Sequence, residues 1–313
     1  MPEGPARGTA ATPLLARAQA ELATGGVPSP RPDAETLLAH VLGVDRSELL
    51  RRTLLGHDVP PEAVRVFEAL VARRAAREPL QHLTGRAAFR HLELAVGPGV
   101  FVPRPETEQV AQVAVDEAVR VAAARDDAGA VVVDLCTGSG AIALAVATEV
   151  PRARVHAVEL DRDAHAWAER NVTAVSDGAP APVVHLVRGD ARTALRDLDG
   201  TADVVVSNPP YVPPDAVPTD PEVAGHDPAV ALYGLGPDGL EVPRGVTAAA
   251  ARLLRAGGLY VMEHAEVQAA AARAMVAAVR DEDGLPVFAG PETRTDLTGR
   301  PRMVVARRRG PEA

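Results

Sequence analysis

Five short apolar segments recur along the chain after about residue 130, separated by helical patterns or loops. They span residues 131–135, 155–159, 183–187, 204–207 and 259–263. Strands buried on both faces are near-continuous apolar runs, and strands that alternate with helices pair in parallel. The pattern therefore predicts an α/β domain whose mostly parallel sheet is covered by helices on both faces. Two weaker strands are predicted near residue 287 and over residues 303–306, which makes seven.

The first part of the chain has helical periodicity instead. In "PDAETLLAHVLG", the apolar side chains fall on one helix face between Asp33, a predicted cap, and Gly43, a predicted stop. No strand is predicted there. We therefore predict a small helical domain over residues 1–85 with a loose tail at 1–13. A β-hairpin linker around Gly97-Pro98-Gly99 is predicted over 86–102, the main domain over 103–307, and a second loose tail over 308–313.

Composition restricts the class of partner. The formal net charge is −9, whereas a surface that binds nucleic acid normally has a basic excess. The single cysteine, Cys136, excludes a disulfide framework, and its isolation from other ligating residues argues against a metal site. No apolar run is long enough to span a bilayer, and the first residues lack the apolar core of a signal peptide. We expect a cytoplasmic protein with no metal, no membrane partner and no stable nucleic-acid partner.

The first predicted strand continues into "DLCTGSGAIALA", a glycine turn before a helix. Such a turn lets backbone N–H groups approach a ligand at the positive end of the helix. Glu159 ends the next strand, where a carboxylate can accept hydrogen bonds from ribose hydroxyls, and Asp190 follows the third. Together they predict an adenosine-binding slot. The turn alone leaves open an NAD site or a turn without a ligand, and Asp190 alone could be a solvated loop residue.

The fourth strand ends in Asn208-Pro209-Pro210-Tyr211. Each proline fixes its own φ, restricts the residue before it and lacks an N–H donor. What remains is a set of rigid acceptors, the Asn208 side-chain carbonyl and main-chain carbonyls, beside the flat face of Tyr211. Two acceptors can orient a planar NH2 group and stabilise the positive charge that develops as its nitrogen attacks an electrophile. The alternative is a strand end terminated by prolines, with Asn208 in a turn and Tyr211 in a core.

These motifs resemble a known family. Asn-Pro-Pro-Tyr after "DLCTGSG" is similar to S-adenosylmethionine-dependent amino-methyltransferases, although DNA adenine methyltransferases share the quartet. Over about residues 30–307 the chain resembles the HemK/PrmC family of protein-(glutamine-N5) methyltransferases, which act on peptide chain release factors. The motifs that carry this resemblance are "PLQHLTG" (79–85), "FVPRPETE" (101–108), "DPAVALYG…DGL" and "EHA" (263–265).

The resemblance implies a Rossmann-like, seven-stranded class I S-adenosylmethionine-dependent methyltransferase fold with a small N-terminal helical domain. It implies methyl transfer to the glutamine of the Gly-Gly-Gln loop of release factors, with the helical domain docking that substrate. Asn208, Pro209, Pro210 and Tyr211 would bind the glutamine amide, with Asn208, Pro209 and Tyr211 taking part in catalysis. The implied cofactor-binding residues are Cys136, Thr137, Gly138, Ser139, Gly140, Glu159, Asp190, Ala191 and Asn208, with Phe101, Arg104 and Thr107 closing over the cofactor or forming a packed linker.

Several readings stay open. A ribosomal-protein glutamine methyltransferase would use the same chemistry, while an adenine methyltransferase is disfavoured by the acidic balance. An NAD-dependent oxidoreductase would explain the glycine turn but would give the Asn-Pro-Pro-Tyr quartet no role. A cofactor-binding module without activity is disfavoured because the quartet is intact. Glu263 is either mechanistic or a buried carboxylate paired near His264, and His226 and Asp227 either contact the substrate or shape their turn. We expect a monomer.

Three positions depart from the family pattern. Cys136 stands where glycine is frequent, so its backbone must reach the required conformation without that freedom. Ala191 replaces an aromatic residue of some relatives, which predicts less stacking against adenine. Leu235 interrupts a Gly-Gly pair and leaves the conformation of that loop open.

Overall fold

The computed structural model describes residues 8–125, 129–176 and 184–310. Parts of both predicted tails, residues 1–7 and 311–313, and Val183 of the predicted third strand lie outside the described residues. The chain forms two compact units. One comprises residues 1–86 and 218–226, and the other comprises residues 87–217 and 227–313.

The elements are numbered in chain order. The helices are α1 (Ala11–Thr24), α2 (Pro30–Leu42), α3 (Arg46–Leu54), α4 (Pro61–Ala75), α5 (Leu80–Thr84), α6 (Thr107–Ala123), α7 (Ala141–Glu149), α8 (Arg162–Ser176), α9 (Pro221–His226), α10 (Ala229–Leu232), α11 (Glu241–Leu253) and α12 (Ala269–Ala277). The strands are β1 (Thr9–Ala10), β2 (Asp58–Val59), β3 (Arg86–Phe89), β4 (Leu92–Ala95), β5 (Val131–Leu135), β6 (Arg154–Glu159), β7 (Val184–Arg188), β8 (Ala202–Ser207), β9 (Leu254–Glu263), β10 (Phe288–Thr295) and β11 (Pro301–Arg308). Two short 3₁₀ turns lie at Arg196–Leu198 and Glu266–Gln268.

The first unit is built around helices α1 to α5. Their apolar faces meet in one core, whose fully buried members include Leu22, Leu37 and Phe67. The expectation of no strand here was wrong, because Thr9 pairs with Val59 in the short antiparallel β1–β2 ladder. Residues 9–13 are accordingly part of a strand and of helix α1, not of a loose tail.

Asp33 does not cap helix α2. Ser29 precedes the helix and Pro30 is its first residue, whereas Gly43 ends it with a φ of 63°, as the sequence predicted. Asp33 lies in the first turn and accepts a 2.8 Å hydrogen bond from Nε of Arg74. The Asp33 carboxylate, which the local pattern predicted as a helix cap, therefore forms a long-range ion pair with Arg74 instead.

Arg74 is the centre of a buried ion-pair cluster in this unit. Its Nη1 donates to Glu222 of helix α9 at 2.7 Å, and Arg77 donates to both oxygens of the same carboxylate. Asp33, Arg74 and Glu222 are each less than a tenth exposed. These contacts explain why residues 218–226 belong to the helical unit, although the sequence analysis placed them in the main domain.

The second unit contains the predicted seven-stranded sheet. The strand order is β10-β11-β9-β8-β5-β6-β7, with β5 to β9 parallel and with β10 and β11 antiparallel. Alternate residues of the strands point to opposite faces. Val132, Val204 and Val261 join the core on one face of the sheet. Val133, Val205 and Tyr260 join the core on the other, so both faces are buried as the apolar runs predicted.

The register of the parallel strands aligns their carboxyl ends. Leu135 pairs with Val158 on one side and with Ser207 on the other, and Ser207 pairs with Met262. The next residues in each strand direction, Cys136, Glu159, Asn208 and Glu263, therefore come to one edge of the sheet. Open α/β sheets bind ligands at this edge.

The hairpin before the sheet turns earlier than predicted. Strands β3 and β4 are joined at Arg90-His91, and Arg90 adopts a left-handed φ of 54°. The Arg90 N–H donates to Glu108 at 2.9 Å, and its guanidinium is bonded to Glu149, which compensates for the unfavourable backbone. Gly97 lies beyond the hairpin against Trp167, where an added Cβ would approach the indole within 2.5 Å. Close packing, not turn formation, accounts for this glycine.

None of the helices in the described part of the chain combines the length and the hydropathy needed to cross a membrane.

The buried cluster of the helical unit gives a stability prediction. Arg74→Met should lower the free energy of unfolding by about 3 kcal/mol or more. The substitution removes the positive charge and the hydrogen bonds that offset the cost of burying the Asp33 and Glu222 carboxylates. Arg73→Met is the matched control, since the half-exposed Arg73 pairs with Glu78 at the surface and should contribute less than about 1 kcal/mol. Urea unfolding followed by circular dichroism measures both. Equal losses in the two variants would contradict the assignment of Arg74 as the centre of the cluster.

Candidate active site

Asp134, the penultimate residue of β5, fixes the glycine turn that follows this strand through hydrogen bonds. Its Oδ2 accepts hydrogen bonds from Oγ1 of Thr137 at 2.6 Å and from the N–H of Ala143 in helix α7 at 3.0 Å. Burial raises the pKa of Asp134 to about 7. Gly138 and Gly140 take positive φ values of 58° and 85°, which glycine reaches without strain.

Cys136 adopts the left-handed conformation that glycine would favour, with a φ of 63°. Its side chain is partly buried against the core below the sheet edge. Burial, together with the Glu159 and Asp134 carboxylates, raises the pKa of the thiol far above its usual range. Because the thiolate is the reactive form, we expect Cys136 to react slowly in the folded protein.

Glu159 joins the end of β6 to the glycine turn. Its Oε2 accepts from the N–H of Gly138 and its Oε1 from the N–H of Asp161, both at 2.8 Å. The carboxylate is 8% exposed, and this burial raises its pKa. Each oxygen has a second lone pair, so the carboxylate can still accept hydrogen bonds from two vicinal hydroxyls.

Asn171 in helix α8 was missed by the sequence analysis. Its Nδ2 donates to the carbonyl of Ser139 at 2.9 Å and to that of Ala95 at 3.0 Å, while its Oδ1 accepts from the N–H of Ala95 at 2.7 Å. The side chain therefore ties the glycine turn to strand β4. The one available signal was an asparagine within an amphipathic helix, and such residues usually face solvent.

Asp190 and Ala191 lie after β7 on the same edge. Arg192 donates to both carboxylate oxygens of Asp190, at 2.9 and 2.7 Å, and this pairing lowers the pKa of Asp190. Ala191 is 7% exposed and packs in the core between the sheet and helix α11. Contact of these two residues with adenine stays a prediction.

The quartet after β8 is linked to two other elements by hydrogen bonds. Nδ2 of Asn208 donates to Oγ1 of Thr107 at 3.2 Å, and Oγ1 of Thr107 donates to Oε2 of Glu263 at 2.8 Å. The Tyr211 hydroxyl donates to Oε1 of Glu263 at 3.1 Å. Glu263 is 2% exposed, and its burial raises its pKa to about 7. Thr107, predicted at the cofactor, thus lies beside Asn208.

The backbone of the quartet is fixed by the following loops. The N–H groups of Tyr211 and Val212 donate to the carbonyl of Leu232, and Nε2 of Gln268 donates to the Tyr211 carbonyl at 2.8 Å. An added Cβ on Gly239 would lie 2.5 Å from that carbonyl, so this loop packs directly on the quartet. Leu235 adopts a φ of 60°, which settles the conformation that the sequence left open.

The remaining predicted residues have other partners. The Arg104 guanidinium lies 5.0 Å from the Phe101 ring centroid and donates to Oδ2 of Asp227 at 2.7 Å. His226 belongs to the helical unit. Glu263 is a buried, hydrogen-bonded carboxylate, but its partners are Thr107 and Tyr211, whereas Nδ1 of His264 lies 2.8 Å from the carbonyl oxygen of Ala265.

The residues at this edge fit an adenosyl group. Glu159 is a buried acceptor of the kind that ribose hydroxyls need, and an added Cβ on Gly138 would meet nothing within 4 Å, so the turn is open to close approach of a ligand. Oδ1 of Asp134 is a buried acceptor with no partner among the described residues. A seven-stranded sheet of this order, with this slot beside an Asn-Pro-Pro-Tyr quartet, defines a class I S-adenosylmethionine-dependent methyltransferase.

Comparison with known proteins identifies the family. The chain matches the PrmC N-terminal domain over residues 13–85 and the methyltransferase small domain over residues 110–221. It is 51% identical to the release factor glutamine methyltransferase of Streptomyces coelicolor, over 94% of this chain and 96% of that protein. Identity to the Mycolicibacterium smegmatis enzyme of the same name is 50%, over 93% and 95%. The chain therefore belongs to the release factor glutamine methyltransferase family.

A solved structure of a release factor-specific protein-(glutamine-N5) methyltransferase from Alicyclobacillus acidocaldarius is 24% identical, over 69% of this chain and 99% of that chain. Its TM-score of 0.39 is too low to support an inference about this chain.

The glycine turn gives a prediction about cofactor affinity. Gly138→Ala should weaken S-adenosylmethionine binding at least about tenfold, because the new methyl group occupies the opening above the turn and strains the backbone. Gly200→Ala is the matched control, since Gly200 also has a positive φ, 71°, and free space around it, but lies in a distant loop. Calorimetric titration measures both affinities. An equal affinity in the two variants would remove Gly138 from the cofactor site.

Cys136 gives a second prediction. The folded protein should react with a thiol-specific disulfide reagent at pH 8 at least about a hundredfold more slowly than the urea-unfolded chain, because its thiolate is suppressed. The rate is measured from the absorbance of the coloured thiol that the reagent releases. The signal belongs to Cys136, because the chain has one cysteine. A rate in the folded protein equal to that of the unfolded chain would show that the thiol is not protected.

Proposed function

We propose that this chain transfers a methyl group from S-adenosylmethionine to the side-chain amide nitrogen of the glutamine in the Gly-Gly-Gln motif of peptide chain release factors. Membership of the release factor glutamine methyltransferase family supports this substrate. The quartet supports the chemistry, since it presents acceptors for a planar NH2 group. The hydrogen bond from Nδ2 of Asn208 to Thr107 carries the proposal, because it leaves Oδ1 of Asn208 for the substrate.

The nucleophile of this reaction needs help because its lone pair is delocalised into the amide. The Asn208 side-chain carbonyl and the main-chain carbonyl of the buried Pro209 would each accept one N–H of the glutamine amide. No hydrogen bond to the Pro209 carbonyl is present among the described residues. Two fixed acceptors hold the nitrogen in line and stabilise the positive charge that develops on it.

When bound, S-adenosylmethionine supplies a methyl group on a positively charged sulfur. Glu159 and the glycine turn hold and orient that cofactor at the sheet edge, beside the quartet. No residue of the quartet acts as a base before attack. Burial and the Glu263 carboxylate raise the pKa of Tyr211 far above its usual range, so its hydroxyl stays protonated. The N-methylated cationic nitrogen is acidic enough to lose its proton to water.

The helical unit is proposed to dock the protein substrate, since a single amide pocket cannot recognise a whole release factor. We further propose that the enzyme works in the cytoplasm as a monomer without a stably bound nucleic acid. The acidic formal charge of −9 supports the last of these statements.

The decisive test is mass spectrometry of a purified release factor after incubation with this protein and S-adenosylmethionine. One added methyl group, 14 mass units, is expected on the glutamine of the peptide that carries Gly-Gly-Gln. A release factor with that glutamine replaced by glutamate is the control and should gain no mass. No gain with the intact factor, under conditions where the cofactor binds, would redirect the search to a ribosomal protein or an adenine.

The clamp itself is tested by Asn208→Ala. Removing the acceptor should lower kcat by about 10²- to 10³-fold, the size of effect that follows the loss of one hydrogen-bond donor at a developing negative charge. The affinity for S-adenosylmethionine should change less than about threefold. Steady-state kinetics and calorimetric titration measure the two effects. Equal losses in turnover and cofactor affinity would contradict the clamp and make Asn208 primarily a cofactor ligand.

A further inference from the structure

The hydrogen bonds around Glu263 run in one direction only. An ionised carboxylate can accept hydrogen bonds but cannot donate them. The Thr107 hydroxyl has one proton, and it must therefore donate that proton to Oε2 of Glu263. The Tyr211 hydroxyl likewise gives its proton to Oε1. Thr107 is 5% exposed, which leaves little room for water to supply an alternative partner.

This direction fixes the orientation of Asn208. After Oγ1 of Thr107 has donated to Glu263, it offers only lone pairs to its other neighbour, Asn208, 3.2 Å away. Only the NH2 end of the Asn208 amide can satisfy a lone pair. The carbonyl end, Oδ1, must therefore point away from Thr107. A flipped amide would place two acceptors in contact.

We infer that Thr107 and Glu263 are positioning residues, which set the polarity of the Asn208 amide so that its carbonyl oxygen faces the nitrogen to be methylated. This inference rests on the proposed function for the identity of that nitrogen. The chain of contacts joins three elements: the first residue of helix α6, the last residue of strand β9 and the loop after β8. Neither Thr107 nor Glu263 needs to touch the substrate.

The protonation state of Glu263 decides whether the polarity is enforced. A protonated carboxyl could donate to Thr107, whose own proton could then go to Asn208, and the amide would lose its fixed direction. Burial raises the pKa of Glu263 to about 7, opposed by hydrogen bonds from Thr107 and Tyr211 and by the positive Arg302, while Glu106 raises it further. The enforced orientation is therefore present above about pH 7 and is lost as the pH falls.

The sequence allows a direct observation without substrate. The chain has only two asparagines, Asn171 and Asn208. With ¹⁵N introduced into asparagine side chains, the NH2 signals of the full-length protein can be followed from pH 5.5 to 9, and Asn208→Ala assigns them. The Asn208 signals are expected to shift with a midpoint near pH 7. The partners of Asn171 among the described residues are backbone groups, and its signals should stay in place.

Glu263→Gln tests the cause of that shift. Its amide is neutral at every pH of the titration, so the shift of the Asn208 signals should disappear. A wild-type protein whose Asn208 signals do not titrate, or a Glu263→Gln protein in which they still do, would overturn the inference. The Asn171 signals report whether the variant is folded.

Kinetics with the release factor provide the second test, through two variants of Thr107. Thr107→Val keeps the shape but removes the hydroxyl, and kcat should fall about tenfold to a hundredfold with KM for S-adenosylmethionine changed less than about threefold. Thr107→Ser keeps the hydroxyl and should recover most of that loss. In the wild type kcat should rise with pH through about 7, and Glu263→Gln should lack this rise. A Thr107→Val enzyme with wild-type kcat would overturn the inference.

The two experiments separate this inference from the proposed function. Failure of the wild type to methylate the release factor would reject the proposed substrate, while the ¹⁵N titration would still decide the role of Glu263 and Thr107. Methylation by a wild type whose Asn208 signals do not titrate would keep the proposed function and reject the positioning role.

Discussion

Three buried carboxylates at the carboxyl ends of the parallel strands organise the loops of the site. Asp134 holds the glycine turn through Thr137 and Ala143, and Glu159 holds it through Gly138. Glu263 holds Thr107 and Tyr211. A buried carboxylate is costly unless donors surround it, so each one forces its loop to supply N–H or O–H groups in a fixed direction. The hydrogen bonds of these carboxylates therefore fix the loops relative to the strand ends.

The same carboxylates separate the two halves of the site. Glu159 accepts from backbone N–H donors, and each of its oxygens keeps a further lone pair. Glu263 accepts from the side-chain hydroxyls of Thr107 and Tyr211, and Thr107 in turn accepts from Nδ2 of Asn208. The register of β5, β6, β8 and β9 brings both halves to one edge, because consecutive parallel strands end at the same level. One sheet edge thus carries both the glycine turn with Glu159 and the quartet with Glu263.

Much of this arrangement was predictable because it depends on local rules. The apolar runs predicted the parallel strands, since a strand buried on both faces has no polar alternation. The glycine turn and the prolines predicted the two loops of the site, since backbone freedom and its removal are properties of single residues. The hairpin was misplaced because Arg90 takes a left-handed conformation that long-range bonds to Glu108 and Glu149 stabilise. Asp33 was misassigned for the same reason, through Arg74.

The sequence by itself determined the sheet, the adenosine slot and the quartet, because strand burial, glycine turns and proline restriction are encoded within a few neighbouring residues. Only the tertiary structure decided the partners of the buried polar groups. Thr107, Asn208 and Glu263 are separated by 101 and 55 residues along the chain, and Asn171 reaches the glycine turn from another helix. The direction of a hydrogen bond depends on which donor and which acceptor come together in the folded chain. The pattern of neighbouring residues does not contain that information.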